Sequence, residues 1–197
     1  MKSLFLAFMR WRVARAGVVC APGVRVRGMP LVHCDPLARI ELGMGVVLQS
    51  MPRRYHAHMH SPVKLLADRP GASITVGDDT RINGACIHAV KSIRIGARCL
   101  LAAGVQVLDS NGHEACIANP ARRTQSVDEG RPVVIGDDGW LVLNVVVLPG
   151  AKIGAGSVIG AGVVVSGIIP PRSIDKSPKP RIRDGETGKR EGRTWLD

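Results

Sequence analysis

The sequence predicts an all-β fold, a parallel β-helix of stacked triangular coils, from three observations. An aliphatic residue recurs at every sixth position: Ile135, Leu141, Val147, Ile153, Ile159 and Val165. Gly follows it at 136, 154 and 160, and small or β-branched residues (Gly139, Val145, Ala151, Ser157, Val163) precede it by two. Aromatic residues make up only 3% of a 197-residue chain that is 45% hydrophobic. A core of that make-up is filled by narrow, repeated layers of Val, Ile, Leu and Ala rather than by rings. No α-helix has a period of six, and one amphipathic strand with a period of two could not continue for the length of this run. Six residues make a short strand and a corner. Three such sides close a coil, and each coil buries the one before it.

Residues 1–17 come first and read as a short amphipathic helix. Leu4, Phe5, Leu6, Phe8 and Trp11 alternate with Arg10, Arg12 and Arg15. The apolar run is too short and too interrupted to span a bilayer, and no signal-peptide cleavage pattern follows it. Packing against its own domain or a sister subunit is the plain expectation, and lying on a membrane face is the sharper one.

The solenoid is expected over 18–171. Val24 and Leu42 lie one coil apart, with Leu48 six residues on. Val76, Ile82 and His88 continue the step of six, as do Ile95, Leu101 and Val107. From Val76 to Ile95 there is one residue more than a coil needs, which places a bulge between His88 and Lys91. The period fails at about 51–72 and again at about 110–132. Such breaks are insertions leaving a corner, where solenoids commonly build their working surface. The ladder is expected to stop at Ile169-Pro170-Pro171, since proline cannot donate to it. Residues 172–197 then form an irregular, basic tail.

Charge narrows the partners. The formal net charge is +11, concentrated at the two ends. This favours anionic partners such as a phosphorylated cofactor or an acidic membrane surface. Nucleic acid is disfavoured, because side chains that stack on bases are almost lacking. Five cysteines without a CxxC pair argue against zinc or a disulfide framework and fit reduced thiols. Cys86 and Cys99 read as small apolar fillers. Asp78-Asp79 and Asp137-Asp138 read as corner residues. His56, His58 and His60 alternate and could share a face, but no Cys or carboxylate nearby completes a metal set, so a surface loop is expected and no metal is assigned.

His113 is the candidate for chemistry. It follows the inward Val107 by a few residues, within Asp109-Ser110-Asn111-Gly112-His113-Glu114 at the root of the second insertion. A histidine anchored on a rigid rung yet exposed can take a proton from an attacking hydroxyl or amine.

Several runs carry a family likeness. They are Gly139-Trp140-Leu141-Val142-Leu143-Asn144-Val145-Val146-Val147-Leu148-Pro149-Gly150, the Ile153 to Gly162 repeat, Ile169-Pro170-Pro171, Arg81 to Ala89 and the His113 loop. Over about residues 73–183 the chain resembles the hexapeptide-repeat acyltransferases. Within them it is similar to the maltose, galactoside and nodulation acetyltransferases and to O-acetyltransferases of bacterial surface polysaccharides. The resemblance implies a left-handed coil and a homotrimer with sites between neighbouring solenoids. It implies transfer of an acetyl group from acetyl-CoA to a sugar hydroxyl of a surface polysaccharide or lipopolysaccharide, in the cytoplasm or at the inner face of the membrane. By that likeness His113 is the general base, and the Leu143 N–H holds the oxyanion. Trp140 lines the acyl site, Ala161 and Ser166 meet the pantetheine arm, and Lys179 and Arg183 approach the nucleotide phosphates. Asn83 and Asn111 would face the acceptor. The chain departs from the family pattern at Val142, Gly167 and Pro180. Two alternatives stay open: N-acetylation of an amino-sugar nucleotide, and a scaffold without catalysis.

Overall fold

A computed structural model describes residues 2–176. Three parallel sheets form the sides of a prism, with seven, seven and six strands. The first side stacks Val18–Cys20, Arg39–Leu42, Ser73–Val76, Ser92–Ile95, Val133–Ile135, Lys152–Ile153 and Ile168–Ile169. The second stacks Arg25–Arg27, Val47–Gln49, Arg81–Asn83, Leu100–Leu101, Trp140–Leu141, Val158–Ile159 and Ile174–Asp175. The third stacks Leu31–Cys34, Lys64–Ala67, Cys86–Ala89, Gln106–Leu108, Val146–Val147 and Val164–Val165.

The period of six becomes columns of core side chains. Ile74, Ile93, Val133 and Ala151 are buried, as are Ile82, Leu101, Leu141 and Ile159, and Ile87, Val107, Val147 and Val165. Each buried Ile or Leu contributes roughly 2 kcal/mol of transfer free energy. The glycines after the repeat also stack. A Cβ on Gly77 would lie 2.5 Å from the Ala97 nitrogen, and one on Gly136 would lie 2.6 Å from the Ala155 nitrogen. Successive coils therefore meet backbone to backbone at this corner.

Corner side chains tie coil to coil. The Thr80 hydroxyl donates to the Gly96 carbonyl, the Cys99 thiol to that of Gly136 and the Ser157 hydroxyl to that of Pro170. Thr80 and Ser157 are fully buried. Two residues earlier in the same corner, Asp78 accepts from the Met44 N–H and Asp137 from the Ala97 N–H. Asp79 and Asp138 follow with φ of 56° and 57°, the left-handed conformation that Asp tolerates. The corner role expected of both Asp pairs is found.

The repeat phase differs from expectation in three places. Ile87 and Ala89 point inward and His88 outward, because the corner between Ile82 and Ile87 is one residue shorter than the equivalent one between Leu101 and Val107, and the compensating extra residues follow the strand around Val90-Lys91. Val24 occupies the small corner position, and the strand partner of Leu42 is Cys20. Cys99 is a buried filler, but Cys86 lies half-buried on the outer face. All five cysteines are free, and burial pushes the thiols of Cys20, Cys86 and Cys99 up.

The boundaries shift as well. The ladder does not stop at Pro170-Pro171: Ile174 pairs with Val158 and Asp175 with Ile159. The two prolines occupy a corner, where no ladder N–H is needed, and Arg172 turns the chain with φ 56°. The first break is shorter than 51–72, since Lys64–Ala67 forms a regular third-side strand. The second insertion occupies 109–132, with one short 3-10 helix at Pro120–Thr124. Helix α1 (Lys2–Arg15) packs on the first coil, and its Met9 and Val13 join the core. No helix among the described residues is long and apolar enough to cross a membrane.

Candidate functional site

The second insertion leaves the corner between the third and first sides. Its root is Asp109, fully buried, whose two carboxylate oxygens each accept a 2.8 Å hydrogen bond from the N–H groups of Val90 and Lys91. The bulge of the coil below is thus the socket for the insertion above. The returning strand closes the root, with the Arg131 N–H on the Asp109 carbonyl at 2.6 Å.

Beyond the root the loop is held by its own polar groups. The Asp128 carboxylate accepts from the N–H groups of Asn111 and Gly130 at 2.7 and 2.9 Å, which holds its pKa below the usual value. Arg69, from the same corner two coils lower, donates to the Asp128 carbonyl at 2.8 Å. The insertion therefore folds back along its own edge of the prism. Ser126 fixes the tip: its hydroxyl accepts from the Glu114 N–H and donates to the Arg123 carbonyl, both at 3.0 Å.

His113 is exposed at this tip, and its Nδ1 lies 3.0 Å from the Ser126 carbonyl. A carbonyl can only accept, so Nδ1 carries the proton in this contact. In the neutral ring that contact selects the tautomer whose lone pair is on Nε2, the nitrogen a general base would use.

The remaining expected residues lie elsewhere on the prism. Leu143 is in the corner between the second and third sides, and its N–H donates to no acceptor among the described residues. Its carbonyl accepts from the Gly162 N–H at 2.9 Å, which sets Ala161 and Gly162 in the same corner one coil higher. A Cβ on Gly162 would meet no described residue within 4 Å. Trp140, 46% exposed, stands on the outer face of the second side. Ser166 is exposed at the third-to-first corner. Lys179, Pro180 and Arg183 lie outside the described residues. A third-side strand separates Leu143 from the corner that carries His113. Within one chain the structure places these two groups at different corners.

Asn83 does not face outward. Its side chain is 4% exposed and donates to the Leu101 carbonyl at 2.8 Å, so it joins two coils in place of the acceptor contact expected of it. Asn111 is exposed beside His113. The Asp109 socket and the Ser126 clasp were missed by sequence reasoning; the extra residue between Val76 and Ile95 was the one signal that pointed to the socket.

The first insertion rises along the second-to-third corner. Met59 is buried there, and Tyr55 accepts a 3.3 Å hydrogen bond from the Ala103 N–H. His56, His58 and His60 are exposed, with the rings of His58 and His60 edge to face. No group of three His, Cys, Asp or Glu side chains among the described residues could hold a metal. On the outer third side, His88 Nε2 lies 3.0 Å from the Asp68 carboxylate.

No family model matches the chain. A Schizosaccharomyces pombe protein provisionally named an acetyltransferase is 48% identical over 52 residues, 26% of this chain and 25% of that protein. WbbJ of Escherichia coli K12, provisionally named a lipopolysaccharide biosynthesis O-acetyl transferase, is 36% identical over 107 residues, 51% of this chain and 55% of its own length. The chain thus spans about a quarter to about half of the length of these curated relatives. Among solved structures, a hexapeptide-repeat acetyltransferase from Vibrio cholerae in complex with acetyl coenzyme A matches with a TM-score of 0.57 and 21% identity, over 87% of this chain and 73% of that one. The likeness shows the fold: a left-handed parallel β-helix of hexapeptide repeats.

Proposed function

We propose that this chain, which shares its fold with the hexapeptide-repeat acetyltransferases, moves an acetyl group from acetyl-CoA to a sugar hydroxyl of a surface polysaccharide or lipopolysaccharide. The observation that carries the reading is the contact between His113 Nδ1 and the Ser126 carbonyl at 3.0 Å. It turns Nε2 away from the loop, on an insertion pinned at its root and tip. The name of WbbJ supports the glycan acceptor and oxygen as the acetylated atom.

In this mechanism Nε2 of His113 takes the proton from the acceptor hydroxyl. The oxygen bonds to the thioester carbonyl carbon, and the negative charge that develops on the carbonyl oxygen is met by the Leu143 N–H. The carbon–sulfur bond then breaks, and the imidazolium returns its proton to the departing thiolate. Acetyl-CoA supplies an activated acyl carbon, so no acyl-enzyme is needed. The observation that fits the donor is the Leu143 N–H, which has no acceptor among the described residues. Trp140, Ala161 and Ser166 line the donor path, Lys179 and Arg183 reach its phosphates, and Asn111 contacts the acceptor. Because His113 and Leu143 stand at different corners, the site is completed by a second copy in a homotrimer.

The test is CoA release by purified protein with hydroxyl and amino acceptors offered in parallel. His113→Asn lowers kcat by about 10²–10⁴-fold while calorimetric binding of acetyl-CoA is retained. Full transfer by that variant overturns the mechanism, and preference for an amino-sugar overturns the assignment to oxygen.

A further inference from the structure

We propose that α1 seats this chain on an anionic lipid bilayer, through the outer stripe Phe8, Trp11, Arg12 and Arg15. The helix has two faces with different work. Met9 and Val13, four residues apart, close the first coil and are 2% and 3% exposed. Arg10 is spent on the fold too, since its guanidinium donates to the Cys20 carbonyl at 3.1 Å. Phe8, Trp11, Arg12 and Arg15 follow the spacing i, i+3, i+4, i+7, which gathers them on one face. At 3.6 residues per turn that face is turned roughly 130° from the buried one.

This outer stripe takes no part in closing the coil. Phe8 and Trp11 are 51% and 52% exposed, and their rings stack on each other at 5.9 Å. The Arg15 guanidinium lies 5.1 Å from the Trp11 ring centre. Arg12 and Arg15 are exposed. Together with Ala16, these four side chains line one shallow groove. A folded domain gains nothing by leaving two large rings half in water, and a soluble polyanion would use the arginines but not the rings. A bilayer interface uses both: aromatic rings settle at the headgroup level, and arginines meet lipid phosphates. The formal charge of +11 matches an anionic leaflet. The inference does not rest on the acetyl-transfer reading.

The experiment is co-sedimentation of the full-length protein with vesicles of phosphatidylglycerol and phosphatidylcholine, against vesicles of phosphatidylcholine alone. The wild type binds the anionic vesicles and is released by salt. The pair Phe8→Ser/Trp11→Ser weakens that binding by about tenfold or more. Arg12→Gln/Arg15→Gln weakens it about tenfold and flattens the salt dependence. All four positions are exposed, so thermal melting of each variant stays at the wild-type value. Brominated lipid quenches part of the tryptophan fluorescence of the wild type, and Trp11→Phe abolishes that part while Trp140 and Trp195 remain. If Phe8→Ser/Trp11→Ser binds anionic vesicles as the wild type does, the proposal fails and the basic residues beyond Lys176 carry the attraction. It fails equally if the rings prove to join two copies, shown by a smaller sedimenting species for that variant with unchanged vesicle binding. Preference for a nucleic-acid duplex over vesicles in competition would also overturn it.

Discussion

Asp109 caps the bulge of the coil beneath it: its carboxylate takes the N–H groups of Val90 and Lys91, each at 2.8 Å, from a position with no solvent exposure. The residue that opens the His113 insertion is thereby the one that absorbs the irregular residue of the preceding coil. Asp109→Ala leaves two backbone donors unpaired in the interior, at a cost of about 2–5 kcal/mol. Denaturant unfolding reads that cost. Limited proteolysis is expected to show cleavage within 110–132 before the solenoid unfolds. Wild-type stability in the variant would remove the socket from the account.

Gly136→Ala forces a methyl to 2.6 Å from the Ala155 nitrogen, which belongs to the next coil's backbone and cannot turn aside. The expected loss is about 1–3 kcal/mol. It should appear as a lowered midpoint in thermal melting, with the circular-dichroism spectrum of the folded state preserved.

Leu141→Ala empties one rung of the column formed by Leu101, Leu141 and Ile159. The cost expected is about 2–5 kcal/mol. In a solenoid each rung touches only its neighbours. Hydrogen exchange is therefore expected to quicken around this coil and to leave the strands near Ile40 and Leu65 almost unchanged.

Acid acts through Asp128 and Asp138. Backbone N–H groups of Asn111 and Gly130 lower the first, and the Arg98 guanidinium, at 2.7 and 2.8 Å, lowers the second. A depressed folded-state pKa contributes stability that is present above the usual value of 3.8 and is lost as pH falls through the folded value. Both side chains are largely solvated, so the gain is small. Proteolytic resistance of the second insertion is expected to hold at neutral pH and to fall below about pH 4. Asp128→Asn is expected to show reduced resistance already at neutral pH. A resistance that does not change with acid would count against Asp128 as the loop's clasp.

Much of the fold was legible because each coil repeats one local rule. Wherever the coils run without interruption, as from Ile135 to Val165, the inward positions were read correctly. The reading slipped where the coil length changes. His88 was placed inward by counting sixes from Val76, yet the corner between Ile82 and Ile87 is one residue short and the excess follows the strand, and the net excess over a coil does not reveal a deletion that precedes it. Pro170-Pro171 misled for a different reason: a proline pair stops a ladder only if it falls in a strand, and here it falls in a corner. For the candidate site, the insertion and the exposure of His113 were readable from the broken period. Its tautomer was not, because the clasp comes from Ser126, thirteen residues away. Asn83 was misjudged because an asparagine can satisfy a neighbouring coil as well as it can a ligand.

The placement of His113 and Leu143 at different corners has a consequence in mass action. Under the proposed mechanism, a lone chain owns a base and an oxyanion donor that it cannot bring to bear on one carbonyl. Turnover then belongs to the assembly, and dilution below the dissociation constant of the trimer would silence every site while leaving each solenoid folded. The concentration of the chain would itself become a control on the reaction, with no effector and no change in the structure of the subunit.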